Sequence, residues 1–385
     1  MSKQGRLDSF WGRLMVLTAL SVLVAALFLG AGEWYLRAMN RDKTIILDRS
    51  LFEENGLNRI DRMIKRYSPD SIYELQTLRN GTVLVLSQKQ DEKSSGSALS
   101  IFDLAGNSLI PLVEKEDVVH IVASPDGNSI LYQTFRDNQP ETVWYDAAEK
   151  REKGRWTEWG NWTLMPDDRH SVELYHNYIR VRDLETSESR LIAKVEDYRM
   201  NIPKKDQLSG SFVKQLMTLA LSPDRTHVFM PFYRPATTDS EGEDIIYNID
   251  LNSGAMETIA VNGVVGDIYD IRPWGKSNVA LSGRIGGVEG IYSVTSEGQP
   301  KLLKEGLYDQ MTYNPVSNML AYTARGDGRS RVMAATLDDK GLTDEFTVYD
   351  NLGYIHSLQW SADGETLLAV TDESTGSNVF QFRMK

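Results

Sequence analysis

The first pattern along the chain is an apolar stretch without charged residues, from Leu14 to Ala31. As a helix it would be about 27 Å long, close to the roughly 30 Å hydrocarbon core of a bilayer. The apolar part of a secretory signal is usually shorter, about 7–15 residues. The pattern therefore predicts an uncleaved transmembrane signal anchor over residues 14–32. Gly30, Ala31 and Gly32 are small enough for a signal peptidase, which leaves cleavage as the alternative.

Basic residues flank this stretch equally, so the positive-inside rule does not orient it. They are Lys3, Arg6 and Arg13 before it, and Arg37, Arg41 and Lys43 after it. The simplest arrangement is a cytoplasmic tail (1–13), one anchor and one exported domain. We therefore expect a single-pass inner-membrane protein with its C-terminal domain on the periplasmic side.

Past the anchor, one local pattern recurs: an apolar strand, a turn of the Ser-Pro-Asp-Gly type, and a second, more apolar strand. The clear copies are Val122–Phe135, Leu219–Tyr233 and Gln359–Thr371, and weaker copies lie at 74–87, 164–175, 271–282 and 312–323. A repeat of roughly 40–55 residues is typical of proteins built from successive similar units.

The turn chemistry makes the two strands antiparallel neighbours. Proline fixes φ at the first corner, aspartate accepts a hydrogen bond from the backbone two residues on, and glycine adopts positive φ. The second strands, such as ILYQTF, are apolar at both alternating sets of positions, so both faces must be buried. Four strands in about 45 residues is the length of a propeller blade. The sequence predicts an all-β, seven-bladed β-propeller of four-stranded antiparallel blades over residues 71–385, or six blades if the copy at Trp274 is an insertion.

Third strands such as Thr142–Asp146 (TVWYD) and Asp244–Asp250 (DIIYNID) follow these turns. Turn and third strand together resemble the WD-like propeller repeat of TolB and of the prolyl-peptidase propellers, over roughly residues 71–385. The resemblance to TolB implies a non-catalytic protein-binding or scaffold component of the bacterial cell envelope. The prolyl-peptidase resemblance extends only to the propeller, because the chain has no Gly-x-Ser-x-Gly motif.

The last repeat contains strands near Tyr354–Trp360, Thr366–Thr371 and Asn378–Phe382, but no fourth strand before Lys385. An unpaired edge invites aggregation. The apolar, β-branched segment left unassigned is Thr44–Asp48 (TIILD). We expect this segment to complete the last blade and join the two ends of the chain.

Residues 33–70 are predicted as a linker that contains this strand and, before Pro69, a short amphipathic helix. Its apolar positions at near-helical spacing are Phe52, Leu57, Ile60, Ile64 and Tyr67, and its cations are Arg59, Arg62, Lys65 and Arg66. We expect the helix to pack on the outer wall of the ring. The alternative is a basic interfacial helix on anionic lipid.

Composition narrows the chemistry. The 385 residues contain no cysteine, which excludes disulfides, thiolate nucleophiles and cysteine-ligated metals, and the net charge of −12 argues against nucleic-acid binding. The five histidines form no His-x-His or His-Glu-x-x-His spacing, and single turn aspartates are too few oxygens for calcium. We expect no cofactor, no metal and no catalytic residue.

Two features are candidates for partner binding. The connection Lys194–Ser211 is too long for a plain link between blades, and it offers Tyr198, Arg199, Met200, Ile202, Lys204 and Lys205. Trp156 and Trp159, with Trp144 and Trp162, form the densest aromatic cluster, which favours packing between blades, or stacking on a sugar or protein where a ring is exposed.

These features predict a membrane-anchored propeller that binds another envelope protein. One alternative is a carbohydrate- or small-ligand-binding propeller, or a propeller hydrolase or lyase, that uses the mouth of the central channel. Another is an architectural subunit of a membrane complex.

Overall fold

The structure is a computed structural model. It describes residues 18, 44–47, 59–78, 82–88, 97–104, 106–113, 117–124, 127–137, 139–157, 161–165, 167, 169–175, 178–194, 219–234, 243–260, 267–295, 300–326, 329–373 and 376–385. Ile45–Lys385 form one compact unit, and Met1–Thr44 form another. The first unit is described only at Thr18 and Thr44.

The described strands of the second unit form seven antiparallel sheets, the seven blades of a β-propeller. Two strands precede the first complete blade, β1 (Ile45–Leu47) and β2 (Ile60–Ser68). Blade 1 contains β3 (Ser71–Thr77), β4 (Val83–Gln88), β5 (Ala98–Asp103) and β6 (Ser108–Val113). Blade 2 contains β7 (His120–Ala123), β8 (Ser129–Arg136), β9 (Gln139–Asp146) and β10 (Arg151–Trp156). Blade 3 contains β11 (Asn161–Leu164), β12 (His170–Tyr175), β13 (Tyr178–Asp183) and β14 (Ser189–Lys194).

The remaining blades follow in chain order. Blade 4 contains β15 (Ala220–Leu221), β16 (His227–Arg234), β17 (Glu243–Asp250) and β18 (Met256–Ala260). Blade 5 contains β19 (Asp267–Trp274), β20 (Asn278–Ile285), β21 (Val288–Val294) and β22 (Lys301–Glu305). Blade 6 contains β23 (Tyr308–Asn314), β24 (Met319–Gly326), β25 (Arg329–Asp338) and β26 (Gly341–Leu352). Blade 7 contains β27 (Ile355–Trp360), β28 (Thr366–Glu373) and β29 (Gly376–Met384). The predicted seven-bladed propeller is confirmed, and the copy at Trp274 is a blade of its own.

Apolar side chains fill the interfaces between the blades. Among the described residues, seven clusters of buried apolar side chains lie between the seven pairs of neighbouring blades. Alternate residues of a second strand enter different clusters. In β20, Val279 and Leu281 pack against blade 4, whereas Ala280 packs against blade 6. The apolar character of both faces of these strands therefore follows from burial on both sides.

Blade 7 is completed by the N-terminal part of the compact unit. β2 pairs antiparallel with β29, from Ile60 opposite Met384 to Ser68 opposite Ser377. β1 pairs only with β2 and forms a fifth, outermost strand. The prediction that the two ends of the chain meet in the last blade is confirmed. The assignment of Thr44–Asp48 as the strand that closes the ring is wrong, because β2 holds that position.

The amphipathic helix predicted before Pro69 is also wrong over its described part, because Ile60–Ser68 is a strand. A β-bulge between Ile60 and Arg62 shifts the alternation, so that Ile60 and Met63 both face blade 6 and enter one apolar cluster. A bulged strand thus places apolar residues three positions apart on one face, as a helix does. The open edge of β29 supplies hydrogen-bond partners that an isolated helix on the wall would not satisfy.

The two ends of the ring differ in their connections. In each blade, the connections from the first to the second strand and from the third to the fourth strand lie at one end of the ring, which we call the turn face. The connections from the second to the third strand, and from each blade to the next, lie at the opposite end, which we call the loop face. The innermost strands are bridged by side chains. Gln76 of blade 1 donates to the Ile121 carbonyl (2.7 Å) and accepts from the Ala123 amide (2.8 Å) of blade 2.

Candidate functional site

Aspartates on the turn face hold their own turns. The carboxylate of Asp183, at the end of β13, accepts backbone hydrogen bonds from Glu185 (2.9 Å) and Thr186 (3.0 Å). Asp250, at the end of β17, accepts the equivalent bonds from Asn252 and Ser253. The bond from the Thr186 amide and that from the Arg169 guanidinium lower the pKa of Asp183 to about 2. These carboxylates therefore stabilise the turns that follow the third strands.

The aspartates of the Ser-Pro-Asp-Gly-type turns also accept hydrogen bonds from within their own turns. The carboxylate of Asp224 accepts from the Ser222 hydroxyl (2.6 Å) and from the Thr226 amide (3.2 Å). Asp363 accepts from the Ser361 hydroxyl and the Glu365 amide (2.9 Å), and these two bonds lower its pKa. The predicted hydrogen bond to the backbone two residues on is confirmed in both turns.

Exposed aromatic side chains concentrate on the opposite, loop face. Among the described residues, the exposed aromatic side chains are Tyr73, Phe135, Tyr178 and Tyr354. All four lie at, or within three residues of, strand ends that point to the loop face, in blades 1, 2, 3 and 7. The exposed apolar side chains near the turn face in the described chain are not aromatic: they are Val316, which is 70% exposed, and Ile110, Leu191, Met256 and Leu302 near the starts of fourth strands. The two faces thus offer different surfaces to a partner.

Tyr354 belongs to the most developed part of this surface. It is 49% exposed, directly precedes β27, and lies under the Arg325 guanidinium, 5.0 Å from its ring centroid. Arg325 also forms an ion pair with Asp309 (2.7 Å), and its amide donates to the carbonyl of the exposed Leu307. An aromatic ring, an aliphatic side chain and an oriented guanidinium therefore lie together beside the channel mouth.

A titratable pair lies on the innermost strands of blades 1 and 2. The Nδ1 atom of His120 is 3.2 Å from a carboxylate oxygen of Glu74, and the His120 ring lies 5.2 Å from that of Trp162 in blade 3. Both members of the pair are partly exposed. The pair can hydrogen-bond a polar ligand that enters the channel.

The tryptophan cluster lies between blades 2 and 3. Trp144 and Trp162 are buried, and the Trp162 indole donates to the Thr142 hydroxyl (3.3 Å). Trp156 is half-buried, with the Arg182 guanidinium 5.1 Å from its ring centroid. Packing between blades is confirmed for Trp144 and Trp162. A partner-binding role for Trp156 stays a prediction, and Trp159 lies outside the described residues.

An ionic cluster beside these rings carries no sequence signal. Glu173 is buried, and its carboxylate is bound by Arg180 (2.7 Å), by Arg182 (2.9 Å) and by the Ser171 hydroxyl (2.9 Å). In sequence these residues are the polar positions of alternating strands, which are usually solvated. Here the neighbouring blade covers them, and only the packing of the ring reveals this.

The six residues predicted for the partner-binding connection lie outside the described residues. They are Tyr198, Arg199, Met200, Ile202, Lys204 and Lys205. The described residues that flank them, Lys194 and Leu219, lie at the loop face, and Lys194 places its ammonium group 5.9 Å from the ring centroid of Tyr178. The exposed aromatic residues of the loop face were not predicted from the sequence. An alignment of the repeats would show that these residues lie beside the loop-face connections.

Two further observations concern the predicted anchor and metals. Within the part of the chain that the structure describes, no helix has the length and apolar character needed to cross a bilayer. Of residues 14–32, only Thr18 is described. The described side chains also contain no group of three or more histidines and carboxylates arranged to hold a metal ion.

Solved structures of known proteins resemble this fold, although their sequences differ from that of the chain. No family model and no curated protein matches the chain. A solved prolyl endopeptidase is similar with a TM-score of 0.58 and 14% identity, over 82% of this chain and 49% of that one. The β-propeller domain of the Trilobed protease from Pyrococcus furiosus gives 0.56 and 11%, over 82% and 97%. TolB from Acinetobacter baumannii gives 0.44 and 14%, over 72% and 66%.

At these identities the first two similarities show the fold alone, and the TM-score of the third is too low to add to it. The chain is a β-propeller. The Pyrococcus domain is described as having an open velcro topology, whereas here β2 and β29 pair within blade 7.

Proposed function

We propose that this chain is a non-catalytic, membrane-anchored β-propeller that binds another protein of the bacterial cell envelope through its loop face. The observation that carries the proposal is the concentration of exposed aromatic side chains on that face, whereas the exposed apolar residues described near the other face, such as Val316 and Met256, are not aromatic. Tyrosine and other aromatic residues are enriched at protein interfaces, where they supply a large contact area at low entropic cost.

The residues around the channel mouth support this proposal. Leu307, Tyr354 and Tyr73 lie at or near the starts of the innermost strands of blades 6, 7 and 1, which are consecutive in the ring. They are therefore neighbours around the mouth. The ion pair of Arg325 with Asp309 provides polar groups at their margin, as in interfaces with an apolar centre and a polar rim.

Attachment to the membrane is proposed from the uncharged stretch 14–31. The N-terminus is placed in the cytoplasm and the propeller in the periplasm, since one short tail and one exported domain is the simplest arrangement. A reporter that is active only in the cytoplasm, fused after Lys385, should be inactive. Activity of this fusion would contradict the orientation.

Site-specific photo-crosslinking tests the role of the loop face. A photoreactive phenylalanine analogue replaces Phe135 or Tyr354 on the loop face, and Val316 on the turn face as the control, since Val316 is more exposed than either. In native membranes we expect one protein adduct of defined mass from the two loop-face positions and none from Val316. Equal adducts at all three positions, or adducts only with the chain itself, would contradict the proposal.

A small-ligand site in the channel is the second candidate function. The observation that favours it is the partly exposed Glu74–His120 pair on the innermost strands. Calorimetric titration of the purified protein with acidic and neutral oligosaccharides tests it. Saturable heat that disappears in the variant Glu74→Gln would support a channel site. Unchanged heat in this variant would exclude the pair from binding.

A further inference from the structure

Positive charge collects on the outer edge of blade 7, in a chain whose net charge is −12. β2, the end of β29 and the residues directly before and after them carry six cations, one of them the buried Arg66, against the single acidic residue Asp61. The cations are Arg59, Arg62, Lys65, Arg66, Arg383 and Lys385. The two stretches are adjacent, because Arg62 lies opposite Arg383 in the ladder. We call this surface the basic edge.

Aromatic rings, rather than carboxylates, support two cations of the basic edge. The Arg59 guanidinium lies 5.0 Å from the ring centroid of Phe346, and the Lys65 ammonium 5.5 Å from that of Phe380. No ion pair joins either cation to a described residue. A ring face orients a cation but leaves its charge in place.

Several arginines of other blades are paired with carboxylates. Arg155 pairs with Glu141, Arg169 with Asp183, Arg272 with Asp270, Arg325 with Asp309, and Arg331 with Asp350. On the basic edge, Arg383 has a carboxylate partner in Glu365 at 3.4 Å, the long end of such contacts. Arg59 and Lys65 differ from these arginines in having no carboxylate partner among the described residues.

Like charges lie close together within β2. Burial, followed by the repulsion of Arg62, lowers the pKa of the Arg66 guanidinium, against the attraction of Asp103. An anion beside Arg62 would relieve this repulsion. The strand is thus charged in a way that favours an anionic partner over solvent alone.

Aliphatic side chains accompany the charge. Ile45 and Ile46 of β1, next to Lys65 and Ile64 in the ladder, are both exposed, Ile46 by 47%. Exposed aliphatic residues beside basic ones are typical of surfaces that bind the headgroup region of an anionic bilayer, where the aliphatic groups enter the acyl boundary. An acidic protein segment would use the cations but has less use for a pair of exposed isoleucines.

We propose that the basic edge of blade 7 binds the surface of an anionic membrane. This inference rests on the proposed membrane attachment, since only residues 33–44 separate the proposed anchor from β1 in the sequence. The predicted basic interfacial helix thus gives way to a basic strand edge with the same class of partner.

Because the chain contains no cysteine, a single introduced cysteine can carry a fluorescent label at one known place. The full chain, with Ile46→Cys labelled, is reconstituted into vesicles of phosphatidylcholine with or without phosphatidylglycerol, and quenching by a lipid-attached quencher is measured. The matched control is Leu191→Cys, an exposed residue of the outermost strand of blade 3. We expect quenching at position 46 at least twofold above that at 191, only with phosphatidylglycerol, and reduced by salt.

Charge reversal separates electrostatic binding from mere proximity. Each basic side chain near an anionic surface contributes roughly fivefold to binding, so Arg62→Glu with Arg383→Glu should lower quenching at position 46 to the control level. Arg151→Glu with Lys276→Glu makes the same change in net charge at exposed positions elsewhere and should leave quenching unchanged. Circular dichroism melts of all variants check that the ring remains folded.

The outcomes distinguish this inference from the proposed function. If the chain floats with the vesicles but position 46 is not quenched, the basic-edge inference is overturned and the anchor is retained. If the chain does not float with anionic vesicles, both the anchor and the basic edge are overturned. Shielding of position 46 only when a captured partner protein is added would make the edge a protein-binding surface and also overturn the inference. None of these results depends on crosslinking at the loop face.

Discussion

Neighbouring blades are held together by different means at two interfaces of the ring. Between blades 6 and 7 the packing is apolar, with Ile60 and Met63 of β2 buried against Val348 of blade 6 and Phe382 of β29. Between blades 2 and 3 the apolar cluster is smaller and is centred on Trp144 and Trp162. Beside this cluster, buried Glu173 is bound by two arginines.

The difference lies in how β2 reaches its interface. Blades 2 and 3 are joined by the short segment 157–160 and blades 6 and 7 by residues 353–354, so little loop-closure entropy is lost when either consecutive pair packs. β2 reaches β29 from the other end of the compact unit, with no short covalent link. Its docking must overcome a large loop-closure entropy, and buried apolar area is the non-directional contribution that does so.

The apolar seam should be the most sensitive part of the ring. Replacing a fully buried Ile or Met with Ala costs about 2–5 kcal/mol, so Ile60→Ala with Met63→Ala should lower the free energy of unfolding by about 5 kcal/mol. Urea denaturation measures this. The control is Ile46→Ala in β1, which is 47% exposed and should change the free energy by less than about 0.5 kcal/mol. An equal loss in the control would contradict the expectation that the buried residues of β2, rather than the exposed strand β1, stabilise this interface.

The ionic cluster should give a smaller loss with a different signature. Glu173→Gln removes the buried carboxylate that binds the buried Arg182 and the partly buried Arg180, which costs about 3 kcal/mol. Replacing Glu173, Arg180 and Arg182 together by Leu, Met and Met should recover most of that loss, because no buried charge remains. The control Glu149→Gln removes an exposed ion pair with Arg151 and should cost less than about 1 kcal/mol. A triple variant as unstable as the single one would mean that the cluster is needed for packing rather than tolerated.

Sequence patterns were sufficient to predict the blades, but not the contacts between blades or the residues exposed on their surface. Each blade is encoded locally by a proline-aspartate turn and a strand that is apolar on both faces, so its prediction needs no long-range information. β2 was missed because its bulge at Arg62 mimics helical spacing. Glu173 and the exposed Tyr354 have ordinary sequence neighbours, and their burial or exposure is set by the adjacent blade.

Asp183 allows a surface charge to be compared with the buried cluster, because it caps a third-strand turn of the same blade 3. Its pKa is about 2 in the folded chain against 3.8 for a free side chain, owing first to the Thr186 amide and then to Arg169. A depressed pKa stabilises the fold above pH 3.8, and this stabilisation is lost as the pH falls towards 2.

Asp183→Asn keeps an acceptor for the turn but removes the charge. Its melting temperature should therefore lie below that of the unmodified chain above pH 4, and the gap should narrow between pH 4 and pH 2. Melting curves from pH 2 to pH 6 measure this effect, which should be smaller than that of Glu173→Gln. Glu185→Gln, two residues on, controls for the change in net charge. A gap that widens as the pH falls would show that the turn does not depend on the ionised form of Asp183.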